Sequence, residues 1–443
     1  MRCVLRVSSQ TELRNAPSWI VKYIKTSMRF DNPAYLEAVR HGRRASHLKP
    51  EIILYQDLPD GIAFPRGWTG HCIRLMNRKV LSFEFEDRRR ALASVDFHFN
   101  GEQREYQERA IADVWKKDFG VLSAASGSGK TVMALRIIAM RRQPALILVH
   151  TKELLHQWAD RVYSFLGISP GLIGDGRFDI QPVTVAIVNT AEKHLSQLPQ
   201  HFGHLVVDEC HRVPSSMFTN VVTVFDSQYM LGLSATTYRR DGLTKLIYYT
   251  LGDRVHQVDT QQLQAAGSLL IPEIVRRETD FSYDYQDDYS NMLSALIQDE
   301  SRNRLIVEDV LGQWRSRGGT ALVVSDRVAH CQVLTGLLQA RGLNAALLTG
   351  YTPRQKREET VSDVQGGKVD VLVSTVQLLG EGFDCSGLSS LFLATPIRFK
   401  GRLIQVVGRI LRPSDEKKPV IYDYVDPNVG VLKAQARKRA KTL

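Results

Sequence analysis

Residues 124–131 read Ala-Ala-Ser-Gly-Ser-Gly-Lys-Thr, between an apolar run at Phe119–Leu122 and the helix-like stretch Val132–Ile138. A strand, a glycine-rich loop and a helix in that order is the arrangement a phosphate-binding loop needs, and it belongs to an α/β fold. In such a loop the backbone N–H groups of Ser126, Gly127, Ser128 and Gly129 cradle phosphates, and the helix N-terminus favours their charge. Lys130 reaches the β- and γ-phosphates and the Thr131 hydroxyl ligates Mg²⁺. Ala124 stands where the general pattern has its first glycine. Further on, the apolar run Leu205-Val206-Val207 ends in Asp208-Glu209-Cys210-His211. Adjacent carboxylates at a strand end suit a metal ligand, Asp208, beside a group that orients or deprotonates the attacking water, Glu209. The two segments predict a Mg²⁺-dependent nucleoside triphosphate hydrolase.

The chain has 443 residues, too many for one ordinary core, so two or three domains are expected. Hydrophobic content of 43% and charged content of 24% fit a soluble globular protein. No run approaches the ~20 apolar residues that cross a bilayer, and Met1-Arg2-Cys3-Val4-Leu5-Arg6 lacks the pattern of a signal peptide. Cys3, Cys72, Cys210, Cys331 and Cys385 stand singly, which disfavours a disulfide framework and a zinc site. A cytoplasmic protein is expected, nucleoid-associated if bacterial or phage, with no membrane partner. Net charge is +11, and residues 1–100 hold 17 Lys and Arg against 10 Asp and Glu. Beside a nucleotide-hydrolysing engine, that excess points to a nucleic-acid partner.

Residues 1–98 mix alternating segments with turn signals such as Leu58-Pro59-Asp60-Gly61 and Phe64-Pro65-Arg66-Gly67, predicting a small α+β accessory domain. Over 99–265, strands predicted at Ala145–Val149, Val183–Ile187, Leu205–Val207 and Met230–Leu233 alternate with helical stretches, the pattern of a parallel sheet covered on both faces. Residues 266–299, with Ile271-Pro272 and a run of Tyr and Asp, read as a linker. A second alternating pattern over 300–430 has strands at Thr320–Val324, Ala345–Leu348, Val369–Val373, Ser390–Ala394 and Val420–Tyr424, and no P-loop of its own. Residues 431–443 form a basic tail, read as a frayed terminus or a DNA contact. Two similar α/β halves with one P-loop suggest a nucleotide held between them.

Across residues 104–413 the motif order resembles that of superfamily 2 helicases with a D-E-C-H box. Arg104-Glu105-Tyr106-Gln107 is similar to the element in which a glutamine reads the adenine edge, which makes ATP the expected nucleotide. By resemblance His211 links the ATP site to Ser234-Ala235-Thr236, the motif that couples hydrolysis to domain movement. Thr237 stands where the family usually has proline. Gly380-Glu381-Gly382-Phe383-Asp384 resembles the motif in which Gly382 allows close approach and Asp384 contacts the ribose or Arg409. Gln405-Val406-Val407-Gly408-Arg409-Ile410-Leu411-Arg412 resembles the motif whose arginines, Arg409 and Arg412, stabilise charge on the transferring phosphoryl. The resemblance implies two tandem RecA-like parallel-sheet motor domains preceded by the small α+β domain.

The nucleic-acid-contacting motifs are less distinctive. Thr151 and Lys152, Asn189 and Thr190, Ser325 and Arg327, Thr349 and Gly350, and Ser374 and Thr375 stand at predicted strand ends, where hydroxyls and backbone N–H groups hold phosphates without reading sequence. Arg239-Arg240-Asp241 stands where XPB-like proteins have an Arg-Glu-Asp loop. With Phe30-Asp31-Asn32-Pro33-Ala34-Tyr35, that stretch is similar to the XPB-like and UvsW-like DNA translocases. In those enzymes the small first domain is thought to recognise duplex or branched DNA. Arg88-Arg89-Arg90 and Arg40, Arg43 and Arg44 are candidate phosphate contacts there. The expectation is a monomeric ATP-dependent DNA helicase or translocase, moving 3′ to 5′ in repair, recombination or fork processing. RNA as the substrate, a restriction or phage-defence motor and a binding module that never unwinds are the alternatives, and residues 1–98 recognise either DNA or a protein.

Overall fold

In the computed structural model every residue of Ala145–Val149 is buried, at the centre of an eight-stranded sheet. Val183–Ile187 and His204–Val207 flank it in parallel register. A strand covered on both faces has no place for alternating polar residues, which is why Ala-Leu-Ile-Leu-Val reads as a continuous apolar run. The sheet continues through Tyr229–Ser234, Phe119–Ala124 and Arg254–Val258 on one side, and through Gly171–Gly174 and Arg177–Phe178 on the other. A second sheet of six parallel strands runs Glu273–Glu278, Val420–Val425, Leu388–Leu393, Thr320–Ser325, Val371–Thr375 and Ala345–Leu348. These are the two RecA-like motor domains. The structure describes all residues except 1, 43, 126, 213–219, 236–242, 381–386, 398–402, 404–406, 408–417 and 442.

The chain divides into two compact units, one of Met1–Ala124 and Gly129–Val258, the other of Ala125–Ser128 and Asp259–Leu443. The first unit therefore holds both the accessory residues and the P-loop motor sheet. Its accessory part is a five-stranded sheet in which Cys3–Val7 pairs antiparallel with Gln10–Arg14 and parallel with Phe83–Asp87. Alternate residues of Cys3–Val7 are buried, and Leu5, Leu13, Ile20, Ile24, Phe64 and Met76 form its core.

Residues 66–90 fasten this part to the motor sheet. Arg66 is 2% exposed; its Nη1 donates to the Ser227 carbonyl at 2.7 Å and the Ser8 carbonyl at 3.2 Å. Its guanidinium lies 4.9 Å from the Phe119 ring centre, and that of Arg89 lies 5.2 Å from the same ring. Burial, reinforced by the nearby Arg89 charge, pushes Arg66 down to about 9. A Cβ at Gly67 would overlap the backbone of Tyr249 and Thr250, so only glycine permits this approach.

Two of the arginines read as phosphate contacts, Arg89 and Arg90, belong to the same joint. Arg89 pairs with Asp87 and Asp118, Arg90 grips Asp226 with two bonds of 2.9 and 3.0 Å, and Arg88 pairs with Glu86. Arg40 and Arg44 are exposed, and Arg43 lies outside the described residues.

Two further segments differ from their sequence reading. The stretch read as a linker, 266–299, contributes the edge strand Glu273–Glu278 and the helix Tyr289–Gln298 to the second unit. The strand is polar because an edge exposes most of its side chains, so its charges resembled those of a linker. The basic tail is the helix Gly430–Ala440, with Leu432 and Ala436 buried. Arg439 donates from Nε to Asp423 at 2.7 Å with both side chains almost wholly buried, so it is an internal ion pair. Among the described residues no helix is long and apolar enough to cross a membrane.

Candidate active site

The strand Phe119–Ala124 delivers the chain to the loop, and the helix Lys130–Arg141 leaves it. Gly127 and Gly129 adopt φ of +86° and +79°, conformations that side chains disfavour. Gly129 caps the helix, so the free N–H groups of its first turn open on the loop. Lys130 Nζ donates to the Ala124 carbonyl at 2.9 Å, which folds the lysine back across the loop. Thr131 follows it in the first helical turn, and Ser128 is buried.

Gln107 is 6% exposed, and its Oε1 accepts from the Arg104 N–H at 3.0 Å, at the start of the helix Glu105–Trp115. A Cβ at Gly129 would collide with Gln107 Nε2. The residue read as an adenine reader thus caps the start of its own helix and lies close against the P-loop glycine.

Asp208 and Glu209 stand at the end of the buried strand His204–Val207. Asp208 is 7% exposed, and its Oδ2 accepts from Trp158 Nε1 at 2.8 Å. Its Oδ1 accepts from the Glu209 N–H at 2.9 Å. Burial first, then the Glu209 charge, push the Asp208 carboxyl up to about 6, against the pull of Trp158 and Lys130. A buried carboxylate pressed upward in this way fits a site completed by a cation. Glu209 sits at φ +46°, a strained conformation for a side-chain-bearing residue. His211 Nδ1 lies 3.2 Å from Glu209 Oε2 and 2.9 Å from the Ser234 hydroxyl, so one imidazole spans the carboxylate and the end of the next strand. Cys210 is fully buried, and burial pushes its thiol well up.

In the first unit Thr151 caps the helix Lys152–Leu166, its hydroxyl accepting from the Leu154 N–H at 3.3 Å. Asn189 is exposed and Thr190 half-buried, in the short helix Val188–Glu192. Lys152 is exposed but lies 2.6 Å from Asp175, which also meets His156 at 3.0 Å. Lys152 and then His156 hold the Asp175 carboxyl below the usual range. Asp175 is therefore a competitor for any phosphate that Lys152 would take. Asp175→Asn is expected to tighten single-stranded DNA binding about two- to fivefold, the scale of an exposed ion pair. Anisotropy titrations at low salt check this, and unchanged affinity would remove Lys152 from the track.

In the second unit a recess of about 500 Å³ gathers Asp326, Arg327, Gly350, Tyr351, Thr375 and Gln377. Residues from three of the predicted turns thus share one rim. Ser325 and Ser374 are turned inward and fully buried. The Ser325 hydroxyl meets His330 Nδ1 at 3.0 Å and accepts from the Arg327 N–H at 3.1 Å. Its role is to shape the Arg327 turn rather than to touch a phosphate. Thr349 is 5% exposed, and its hydroxyl accepts from the Tyr351 N–H at 3.3 Å. Ser126, Arg239, Arg240, Gly382, Asp384, Gln405, Arg409 and Arg412 lie outside the described residues.

Sequence reasoning missed Trp158, Asp175 and Tyr351. A tryptophan on a helix face reads as core, and only the fold shows its indole N–H aimed at Asp208. Tyr351 carried a signal, an aromatic directly after Thr349-Gly350, that went unused.

Two nucleotide-motor halves built this way define a class of protein, and comparison with known proteins agrees. Residues 100–239 match the family described as "Type III restriction enzyme, res subunit", and residues 302–414 match "Helicase conserved C-terminal domain". The chain belongs to the superfamily 2 helicases and is an ATP-dependent helicase-type enzyme. It is 25% identical to the "Probable helicase D10" of Escherichia phage T5 over 82% of this chain and 80% of that protein. It is 24% identical to the "DNA 3'-5' translocase XPB2" of Sulfurisphaera tokodaii, over 76% of this chain and 84% of that protein. Among solved structures, S. cerevisiae Dbp5 bound to RNA and ADP BeF3 shares the fold, with a TM-score of 0.56 and 18% identity over 77% of this chain and 88% of that one.

Proposed function

We propose that this chain is an ATP- and Mg²⁺-dependent translocase that moves 3′ to 5′ on DNA and remodels duplex or branched substrates in repair, recombination or fork processing. The observation that carries the motor reading is the His211 imidazole held between Glu209 and Ser234. A change at the hydrolytic carboxylate is passed to the strand Tyr229–Ser234 through two polar contacts.

The residues divide the work. Lys130 leaves the Ala124 carbonyl to hold the β- and γ-phosphates, and Glu209 orients the attacking water. Thr131 and Asp208 would hold Mg²⁺, which neutralises charge between phosphate oxygens when bound. Trp158 keeps Asp208 in its rotamer. Arg409 and Arg412, by resemblance, stabilise the transferring phosphoryl, with Gln405 beside them. Gln107, with Arg104, selects adenine, and Gly382 and Asp384 complete the nucleotide contacts. The 431–443 segment is proposed as part of the second motor domain, and residues 1–98 as an accessory element fixed to the first.

DNA is favoured over RNA because relatives carry the names DNA 3'-5' translocase and putative DNA 3'-5' helicase. RNA stays the second reading, since a mimivirus relative of 26% identity is named a putative ATP-dependent RNA helicase. Measuring ATP turnover with single-stranded DNA, duplex, fork and RNA separates them. Strongest stimulation by a DNA fork, with ATP-dependent strand displacement, is expected; strongest stimulation by RNA would reverse the assignment.

A further inference from the structure

Tyr351 is 87% exposed, the most exposed aromatic side chain among the described residues. An isolated surface aromatic needs no explanation by itself, but the turn that presents this one is tightly built. The Thr349 N–H donates to the Thr352 hydroxyl at 3.0 Å, and the Thr352 N–H donates to the Thr349 carbonyl at 3.0 Å. The Tyr351 N–H donates to the Thr349 hydroxyl. Arg357 closes the turn from the following helix, donating from Nη2 to the Gly350 carbonyl at 2.9 Å and from Nε to the Thr352 carbonyl at 2.8 Å. A backbone fixed this firmly loses little further freedom on binding, while the ring it carries stays in water.

The ring stands on the rim of the 500 Å³ recess, where Arg327, Gly350, Thr375 and Gln377 supply cationic, backbone, hydroxyl and amide groups beside one carboxylate, Asp326, and the apolar Leu293, Val328 and Leu378. Polar groups for the backbone, with the Arg327 guanidinium among them, and an aromatic plane beside them form the arrangement that holds single-stranded nucleic acid, because every base offers a π-face. We propose that Tyr351 is a base-stacking platform: it stacks on one base of the strand whose phosphates occupy the recess. This rests on the nucleic-acid motor reading above and adds to it a residue with a defined contact. Stacking uses the ring face, so the contact is indifferent to sequence and does not need the hydroxyl.

The test uses the full chain and oligo(dT). Tyr351→Ala is expected to weaken binding about tenfold, the scale of one lost stack, and Tyr351→Phe to stay within about twofold of the parent. A Tyr351→Trp variant should show extra emission that oligo(dT) quenches and an abasic strand of equal length does not. Binding by Tyr351→Ala within twofold of the parent, or equal quenching by the abasic strand, overturns the stacking proposal while leaving DNA-stimulated ATP turnover intact. If no nucleic acid binds or stimulates the unaltered protein, the motor reading itself falls, and the stack with it.

Discussion

Lys130→Ala and Glu209→Gln should each lower the steady-state rate of ATP turnover by about 10²–10³ or more, the scale seen when one preorganised group facing a transition state is removed. The two variants act on different terms. Lys130 follows the left-handed Gly129 and reaches back 2.9 Å to the Ala124 carbonyl, so its ammonium crosses the loop that phosphates would fill. Alanine there removes a charge from the phosphate site and leaves the rest of the loop in place. Glutamine at 209 keeps the shape and the His211 contact but cannot accept a proton. Single-stranded DNA binding, measured by anisotropy, should stay within a few-fold of the parent in both, because neither residue lies on the proposed track. More than a tenth of parental turnover in both variants would remove the assignment of this site.

The largest expected effect on stability lies in the second unit. Arg302 is fully buried; its Nε donates to Asp426 Oδ1 at 2.8 Å and its Nη1 to the Ala394 carbonyl at 2.6 Å. Thr279 donates its hydroxyl to the same carboxylate oxygen at 2.6 Å. Arg302→Met would leave the buried Asp426 carboxylate without its cation, and such uncompensated burial costs about 3–5 kcal/mol. Removing both charges, with Met at 302 and Leu at 426, should recover much of that loss, because the desolvation of both ions is then avoided. Urea unfolding curves of the three proteins provide the comparison. A single variant within about 1 kcal/mol of the parent would show that the pair is not held as described.

The motor sheets were legible because most of their strands are short and largely apolar. Ala145–Val149, Val183–Ile187, Ala345–Leu348 and Val420–Tyr424 are found within a residue of where the pattern puts them. Glu273–Glu278 was not legible, since four of its six residues are charged and its partner Val420–Val425 lies far along the chain. The accessory sheet was hidden for the same reason: Cys3–Val7 pairs with Phe83–Asp87, a contact that no local pattern encodes. Charge gave the least reliable signal. Arg88, Arg89 and Arg90 look like a phosphate-binding run in sequence, yet in the fold Arg89 and Arg90 are held by Asp87, Asp118 and Asp226, and Arg88 shares Glu86 with Arg6. Sequence lists charges without their partners, so it cannot separate a binding surface from an internal clasp. The carboxylates of the D-E-C-H box were readable, whereas the indole that anchors the first of them was not.

Arg66, Arg89 and Arg90 together hold Asp226, Ser227 and Gln228, the residues directly before the strand that ends at Ser234 beside His211. The accessory part is therefore joined to the root of the strand that ends beside His211, and on the other side Gly67 abuts the backbone after it at Thr250 and Gly252. Residues 1–90 and the strand that carries Ser234 are thus fixed to one another at both flanks of that strand.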